Sequence, residues 1–223
     1  MKKTKFFAVL LSATIILSGC NMNNTAKGSL IGAGAGTALG AVIGKLAGNT
    51  AIGAGIGAVA GTAAGAIIGK KMDKAKAQAE QIKGATVETQ TDDQGNTVAV
   101  KVTLEGDVTF ATNKAELNAA SKQSLATFAS QLENDIDLAI IGYTDNTGSD
   151  AINNPLSLNR AKSVQNYLIG QGINASRFKY VEGKGSADPI ADNSTPAGRS
   201  KNRRAELYLV PSQAMVNAAN SAK

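Results

Sequence analysis

Hydrophobic and polar positions follow three different rules along the chain. From residue 28 to residue 69 the marker is glycine. Gly28, Gly32, Gly36, Gly40, Gly44 and Gly48 recur every four positions, and after a break of phase at Asn49 and Thr50 so do Gly53, Gly57, Gly61, Gly65 and Gly69. Ala, Ile, Val, Leu and Thr fill most of the gaps. A spacing of four sets each run on one helical stripe, where two backbones can approach closely, as small residues do in membrane helix pairs. A run of about 20 residues would reach roughly 30 Å as a helix, near the thickness of a hydrocarbon layer. Residues 28–48 and 51–70 are therefore predicted to form a helical hairpin, a glycine zipper. Lys45, the only charge between Gly28 and Gly69, falls near its turn, where a long side chain can snorkel. Membrane association is the expectation, with packing into an oligomer left open beside it. The strict period and the Ile and Val content separate the segment from a flexible linker. Two phosphate-loop lookalikes fail on context: "GAGIGAVAG" follows no strand, and "GAIIGKK" is one residue short with no Ser or Thr after the Lys.

Residues 71–84, "KMDKAKAQAEQIKG", are charged and Ala-rich without an apolar stripe, which predicts a solvated helical spacer ended by Gly84. From Thr86 the pattern alternates. "TVETQ" and "TVAVKVTL" flank "TDDQGN", a hairpin signal. A helix is expected from about Ala115, with Leu117, Leu125, Phe128 and Leu132 as its apolar stripe. "DLAIIGY" reads as a strand. "PLSLNRAKSVQNYLIGQG" reads as a helix with Ser157 at its N-cap, Leu158, Ala161, Val164 and Leu168 facing the core, and Gly170 or Gly172 at its end. "FKYVEGKG" and "RAELYLV" are the remaining strands. The order β-β-α-β-α-β-β predicts an α+β fold: a two-layer domain over residues 85–212, a mixed sheet with both helices on one face, followed by a tail at 213–223.

Composition narrows the chemistry. The 223 residues include no His, which removes Ser-His-Asp triads, His-ligated zinc and the usual general base near neutral pH. A single Cys excludes an internal disulfide and a multi-Cys metal site. No catalytic residue, metal or cofactor is expected, and no enzyme activity. The net charge of +6 owes three lysines to residues 1–19, which hold no acid; the remainder carries +3. Aromatics are 4 %, so a nucleic-acid partner lacks both a basic face and a stacking platform.

The N-terminus "MKKTKFFAVLLSATIILSGC" has a basic start, an apolar stretch from Phe6 to Leu17 and small residues before Cys20, which predicts a signal peptide over residues 1–19. Its ending, "LSGC", resembles the lipobox of bacterial lipoproteins. That resemblance implies cleavage before Cys20, acyl chains such as palmitate on the new N-terminal Cys, and a lipidated tether over residues 20–27. Several chains anchor far more firmly than one. Asn21 rather than Asp follows the Cys, which in enteric-type sorting resembles an outer-membrane address.

One stretch raises a chemical question. In "AIIGYTDNTGSD", residues 139–150, an apolar strand stops on the carboxylate of Asp145. Asp, Asn and Gly also build turns, so the bland reading is a bend. Arg160 falls fifteen residues on, in the expected first turn of the next helix, where the helix dipole disfavours a cation by a few tenths to about 1 kcal/mol. That misfit points to a second role. A guanidinium fork suits a carboxylate, a helix N-terminus adds free N–H groups, and Asp145 can accept from an ammonium. Together they would hold a zwitterion by charge-assisted hydrogen bonds. A structural salt bridge between loop and helix uses the same residues, and the residues alone leave both readings open.

"GYTDNTGSDAINNPLSLNRAKSVQNYL" resembles the signature of the OmpA-like C-terminal domain, "FATNKAEL" the start of that family's first helix, and "PIADNSTPAGRSKNRRAEL" its closing loop and strand. The likeness covers roughly residues 100–210. With the lipobox and the zipper, the whole chain resembles a glycine-zipper outer-membrane lipoprotein of the OmpA family. The resemblance implies non-covalent binding of peptidoglycan through the diaminopimelate of its stem peptide, with the globular domain in the periplasm and the lipid end in the outer membrane. It implies ligand roles for Asp145, Arg160, Thr112, Asn113 and Arg203, supporting roles for Asn153 and Asn202, and a solvated Arg204. Ala111 departs from the acidic or polar residue of many relatives, so only its backbone is expected at the pocket. The alternative function is an envelope assembly or stress factor that oligomerises through its zipper, with wall binding secondary.

Overall fold

A computed structural model describes residues 63–222 apart from residues 93 and 111–113. Cys20, the first predicted zipper helix, most of the second, and Thr112 and Asn113 lie outside the described residues. The elements are α1 (Ala63–Ala79), β1 (Ala85–Thr91), β2 (Thr97–Glu105), a single turn α2 (Gly106–Thr109), α3 (Ala119–Gln131), β3 (Ile136–Gly142), α4 (Asp150–Gly170), a 3-10 turn (Ala175–Arg177), β4 (Phe178–Gly183), α5 (Pro196–Asn202), β5 (Arg204–Pro211) and α6 (Gln213–Ser221). The sheet order is β1-β2-β5-β3-β4. β3 and β4 run parallel, joined by the α4 crossover, and every other pair is antiparallel. The last strand to emerge, β5, slots into the middle, so Leu209 pairs with Val100 on one side and Leu138 on the other.

Alternation along the strands sends side chains to opposite faces. Val100, Val102, Leu104, Leu138, Ile140, Leu207 and Leu209 meet Leu125 and Phe128 of α3 and Ala161, Val164 and Leu168 of α4. The opposite face carries a second buried cluster of Ala99, Ala139, Ile141, Tyr143, Tyr208 and Val210. The expected mixed sheet with helices on one face is present.

Two segments expected outside the domain are part of it. Residues 71–84 do not form a solvated spacer. α1 (Ala63–Ala79) takes in the end of the second glycine run, continues past residue 70, and buries Ala64, Ile68, Met72, Ala75 and Ala79 in the core, with Ile82 after it. These positions recur at four and three, a genuine helical stripe, but most of it is alanine and lysines interrupt it. Gly69 sits against the β1–β2 hairpin, where an added Cβ would meet that of Asn96 at 3.0 Å. Gly84 closes the connection to β1 with φ of 75°. The predicted tail forms α6, which buries Met215, Val216 and Ala219. Ser212 caps it, accepting from the Met215 amide at 3.2 Å. No helix among the described residues is long and apolar enough to cross a membrane.

Two helix starts also differ from expectation. α3 begins at Ala119, where Asn118 accepts from the Ser121 amide at 2.9 Å, and Leu117 bridges to Phe110 instead of joining the helix. α4 begins at Asp150, not at Ser157, and passes through Pro155. Ser157 is fully buried, donates to the Asn154 carbonyl at 2.8 Å and accepts from the Gly185 amide at 2.9 Å. The cause lies in two glycines paired across β3 and β4, Gly142 and Gly183. A Cβ on Gly142 would sit 2.0 Å from the Ser157 carbonyl oxygen, and one on Gly183 would sit 2.2 Å from the Leu158 nitrogen. Without those methyls α4 lies flush on the two strand ends.

Candidate functional site

Beyond Gly142 the β3 chain is held on both sides. The Tyr143 amide donates to the Arg204 carbonyl at 2.8 Å, and the Thr144 amide donates to the Gly185 carbonyl at 2.7 Å. Asp145 is the next residue, and it is only 6 % exposed. Its Oδ1 accepts from the Thr147 amide at 2.9 Å and from the Thr147 hydroxyl. Its Oδ2 accepts from Nη1 of Arg203 at 2.7 Å. Burial would push the carboxyl pKa up, but the Thr147 hydroxyl, the Arg203 guanidinium and the Thr147 amide outweigh it and hold Asp145 below the ordinary aspartate range. The carboxylate therefore stays charged at neutral pH. The turn that follows uses Gly148 at φ 88°.

Asparagines fix this loop from two sides. Asn153, in the first turn of α4, donates Nδ2 to the Thr147 carbonyl at 3.0 Å. Asn193 Oδ1 accepts from the Asn146 amide at 3.3 Å, and is itself held by Nδ2 of Asn202 at 2.9 Å. Asn202 is fully buried; its Oδ1 accepts from the amides of Ile190 and Ala191 at 2.8 and 3.0 Å. Both residues brace the loops around the carboxylate.

Arg203 follows α5 and its backbone is pinned. Its amide donates to the Arg199 carbonyl at 3.1 Å, and its carbonyl accepts from the Gly106 amide at 2.5 Å. A Cβ on Gly106 would fall 2.2 Å from that carbonyl oxygen, so glycine is required for the approach. The Arg203 side chain is 25 % exposed and reaches Asp145 from the solvent side.

Arg160 occupies a different place from the one expected. It lies in the third turn of α4, so the argument from a cation at a helix N-terminus does not apply. The guanidinium is buried and centred 5.4 Å from the Phe110 ring. Its Nε donates to the Lys114 carbonyl and its Nη1 to the Tyr143 carbonyl, each at 3.3 Å. It thus ties the segment after β2 to the end of β3, two residues before Asp145. The structure brings Asp145 and Arg203 into direct contact, with Arg160 on the Tyr143 carbonyl two residues before Asp145.

Arg204 is not solvated. It is 2 % exposed, stacks 3.7 Å from the Tyr143 ring centroid, and donates to Glu206 Oε1 at 2.8 Å and to the Asp188 carbonyl at 3.1 Å. Arg203, the cap of α5, reaches the lip, and Arg204, the first residue of β5, turns to the buried Tyr143. Sequence reasoning overlooked Thr147, although Asp-x-Thr is a readable turn signal in which the hydroxyl and amide return to the carboxylate. Among the described residues no three His, Cys, Asp or Glu side chains gather as a metal site. A carboxylate charged at neutral pH beside a partly exposed guanidinium can bind charged groups.

Two family models match the sequence: the OmpA family over residues 109–203 and a YMGG-like Gly-zipper over residues 1–73. The first spans Asp145, Arg160 and Arg203. The chain is 37 % identical over 220 residues to the probable lipoprotein YiaD of Escherichia coli (strain K12), covering 94 % of this chain and 99 % of that protein. It is 40 % identical over 133 residues to outer membrane protein A of Bordetella avium, covering 58 % and 68 % of the two chains. It is 43 % identical over 113 residues to the peptidoglycan-binding protein ArfA of Mycobacterium tuberculosis (strain ATCC 25618 / H37Rv), but spans only 34 % of that protein's length. Among solved structures, the cell wall anchor of the T6SS from Pseudomonas aeruginosa aligns with a TM-score of 0.52 at 26 % identity, covering 63 % of this chain and 96 % of that one. The periplasmic domain of Helicobacter pylori MotB aligns with a TM-score of 0.51 at 23 % identity, a likeness of fold.

Proposed function

We propose, from the premise that this chain belongs to the OmpA family, that its globular domain binds peptidoglycan without covalent chemistry and tethers the outer membrane to the wall. The observation that carries this reading is the Asp145 carboxylate: buried, held charged, and paired with a partly exposed Arg203 at the end of β3. Relatives named as peptidoglycan-binding and as lipoprotein support it. The recognised group is the free zwitterionic end of diaminopimelate in the stem peptide. Asp145 receives its ammonium, and the guanidiniums of Arg160 and Arg203 its carboxylate. No bond is broken, so the protein is not an enzyme. Acyl chains on Cys20 hold the other end in the outer membrane, with the domain in the periplasm. Thr112 and Asn113 are further proposed ligand residues.

Sedimentation of the full chain in detergent with diaminopimelate-type sacculi tests this. Wild type is expected in the pellet, and folded Asp145→Ala in the supernatant. Equal behaviour of the two would discard the lip as the wall-binding site.

A further inference from the structure

The sheet is closed on both faces. β3 and β5 are buried along their whole length and β2 over all but its last residue. An antiparallel sheet with one wet face would alternate buried and exposed positions. α1, α3, α4 and α6 all give their apolar side chains to one cluster. The other cluster, Ala99, Ala139, Ile141, Tyr143, Tyr208 and Val210, is made by the strands and by Tyr143 just past β3, and none of the described helices joins it. Arg204 and Lys184 cover Tyr143 at one end. Val210 pairs with Asp137, six residues back along β3 and about 20 Å away. It is nevertheless 0 % exposed, as are Ala99, Ala139 and Tyr208. The charges on this face are matched as well: Lys101 with Glu88, Asp137 with Lys179 and Glu206 with Arg204. An apolar layer laid here would strand no ion.

We propose that residues 28–48 are that layer, a helix laid on the face opposite α3 and α4. As a helix, the segment is two-sided. Ile31, Leu39, Val42, Ile43 and Leu46 fall within about 120° of its circumference, and Ser29, Thr37 and Lys45 fall outside that arc. A helix embedded in lipid is apolar all round; this one has a surface to bury and a back for water. The width fits. The cluster centres on β5 with β2 and β3 on either side, two strand gaps or about 10 Å, the diameter of one helix. The connection fits too. α1 reaches the rim of the sheet, where Gly69 abuts Asn96 in the β1–β2 turn and Asp73 accepts from the Thr97 hydroxyl at 2.6 Å. Residues 49–62 lie between the two helices, up to about 45 Å of chain for rounding that rim. The inference goes beyond wall binding and does not depend on it.

The full chain in vesicles of phosphatidylethanolamine and phosphatidylglycerol tests it, with the photo-crosslinker p-benzoylphenylalanine at one position at a time: Leu39 or Leu46 on the apolar arc, Thr37 on the back. Adducts of monomer mass to Ala99, Ala139, Tyr208 or Val210 are expected from Leu39 and Leu46, severalfold more than from Thr37. Lipid adducts alone would place the segment in the bilayer, and adducts of dimer mass would give the face to a second copy; either overturns the proposal. So does the absence of adducts from both arc positions, or an equal yield from Thr37. Val42→Lys supplies a check without the probe. Charging the arc is expected to expose Tyr208 and raise its nitration by tetranitromethane severalfold over wild type, while Thr37→Lys leaves it at the wild-type rate. A Tyr208 as protected in Val42→Lys as in wild type overturns the docking.

Discussion

The two ends of β3 are built from the same parts and behave differently. At each end a buried arginine holds backbone carbonyls, and at each end acids meet basic partners from distant segments. At the start, Arg177 donates to the Ile136 carbonyl at 2.7 Å and the Glu133 carbonyl at 2.6 Å. There Lys71 pairs with Asp135 and Lys74 with Glu133, and those lysine side chains are 40 % and 60 % exposed. At the finish, Arg160 holds the Lys114 and Tyr143 carbonyls and Asp145 pairs with Arg203. Solvated lysines on flexible stems fasten α1 weakly, because water competes for every contact. A carboxylate sunk beneath a guanidinium is shielded, so each partner of that pair matters. The same chemistry gives solvated pairs at one end and a buried, shielded pair at the other, and burial makes the difference.

The finish end should break most readily by steric means. Gly142→Ala places a methyl against the Ser157 carbonyl and is expected to cost about 3 kcal/mol or more in urea unfolding, at the upper end of overpacking effects. A cost under 1 kcal/mol would show that α4 shifts freely. Next comes the start end: Arg177→Leu leaves two carbonyls without their donor and is expected to cost about 2–3 kcal/mol by the same measurement. Asp145→Asn is expected to cost only about 1–2 kcal/mol in stability, while wall binding falls at least tenfold. Its stability effect should depend on pH. The folded pKa of Asp145 lies below the unfolded value near 4. The contribution of its charge is therefore present above about pH 4 and disappears as pH falls through the folded value. Wild type and Asp145→Asn should converge in acid, and a constant gap from pH 7 to pH 2 would contradict this. The smallest effect is expected for Lys74→Ala, about 0–0.5 kcal/mol, vanishing in high salt. A loss comparable to that of Arg177→Leu would erase the contrast between the ends.

Much of this arrangement was legible in the residues. Period-two strands, the hairpin around "TDDQGN" and Asp145 at the end of β3 follow from patterns that local sequence carries. Arg203 was legible through motif resemblance, and its contact with Asp145 depends on β5 inserting beside β3. α1 was misjudged because alanines at four and three give a faint stripe, and its lysines cover an apolar face while their heads find Glu133 and Asp135. Ser157 looked like a helix start because Pro155 precedes it. The helix runs through that proline, and the serine instead fills the space left by Gly142 and Gly183. Arg204 looked like one more surface charge in "KNRRAEL", but as the first residue of β5 it stacks on the buried Tyr143.

Docked along the sheet, α1 is not free length on the N-terminal side of the domain. As an extended leash, the fourteen residues from 71 to 84 would have supplied up to about 50 Å of reach. That length is folded into the core instead. An insertion within residues 71–79 should therefore disturb the core rather than lengthen a tether.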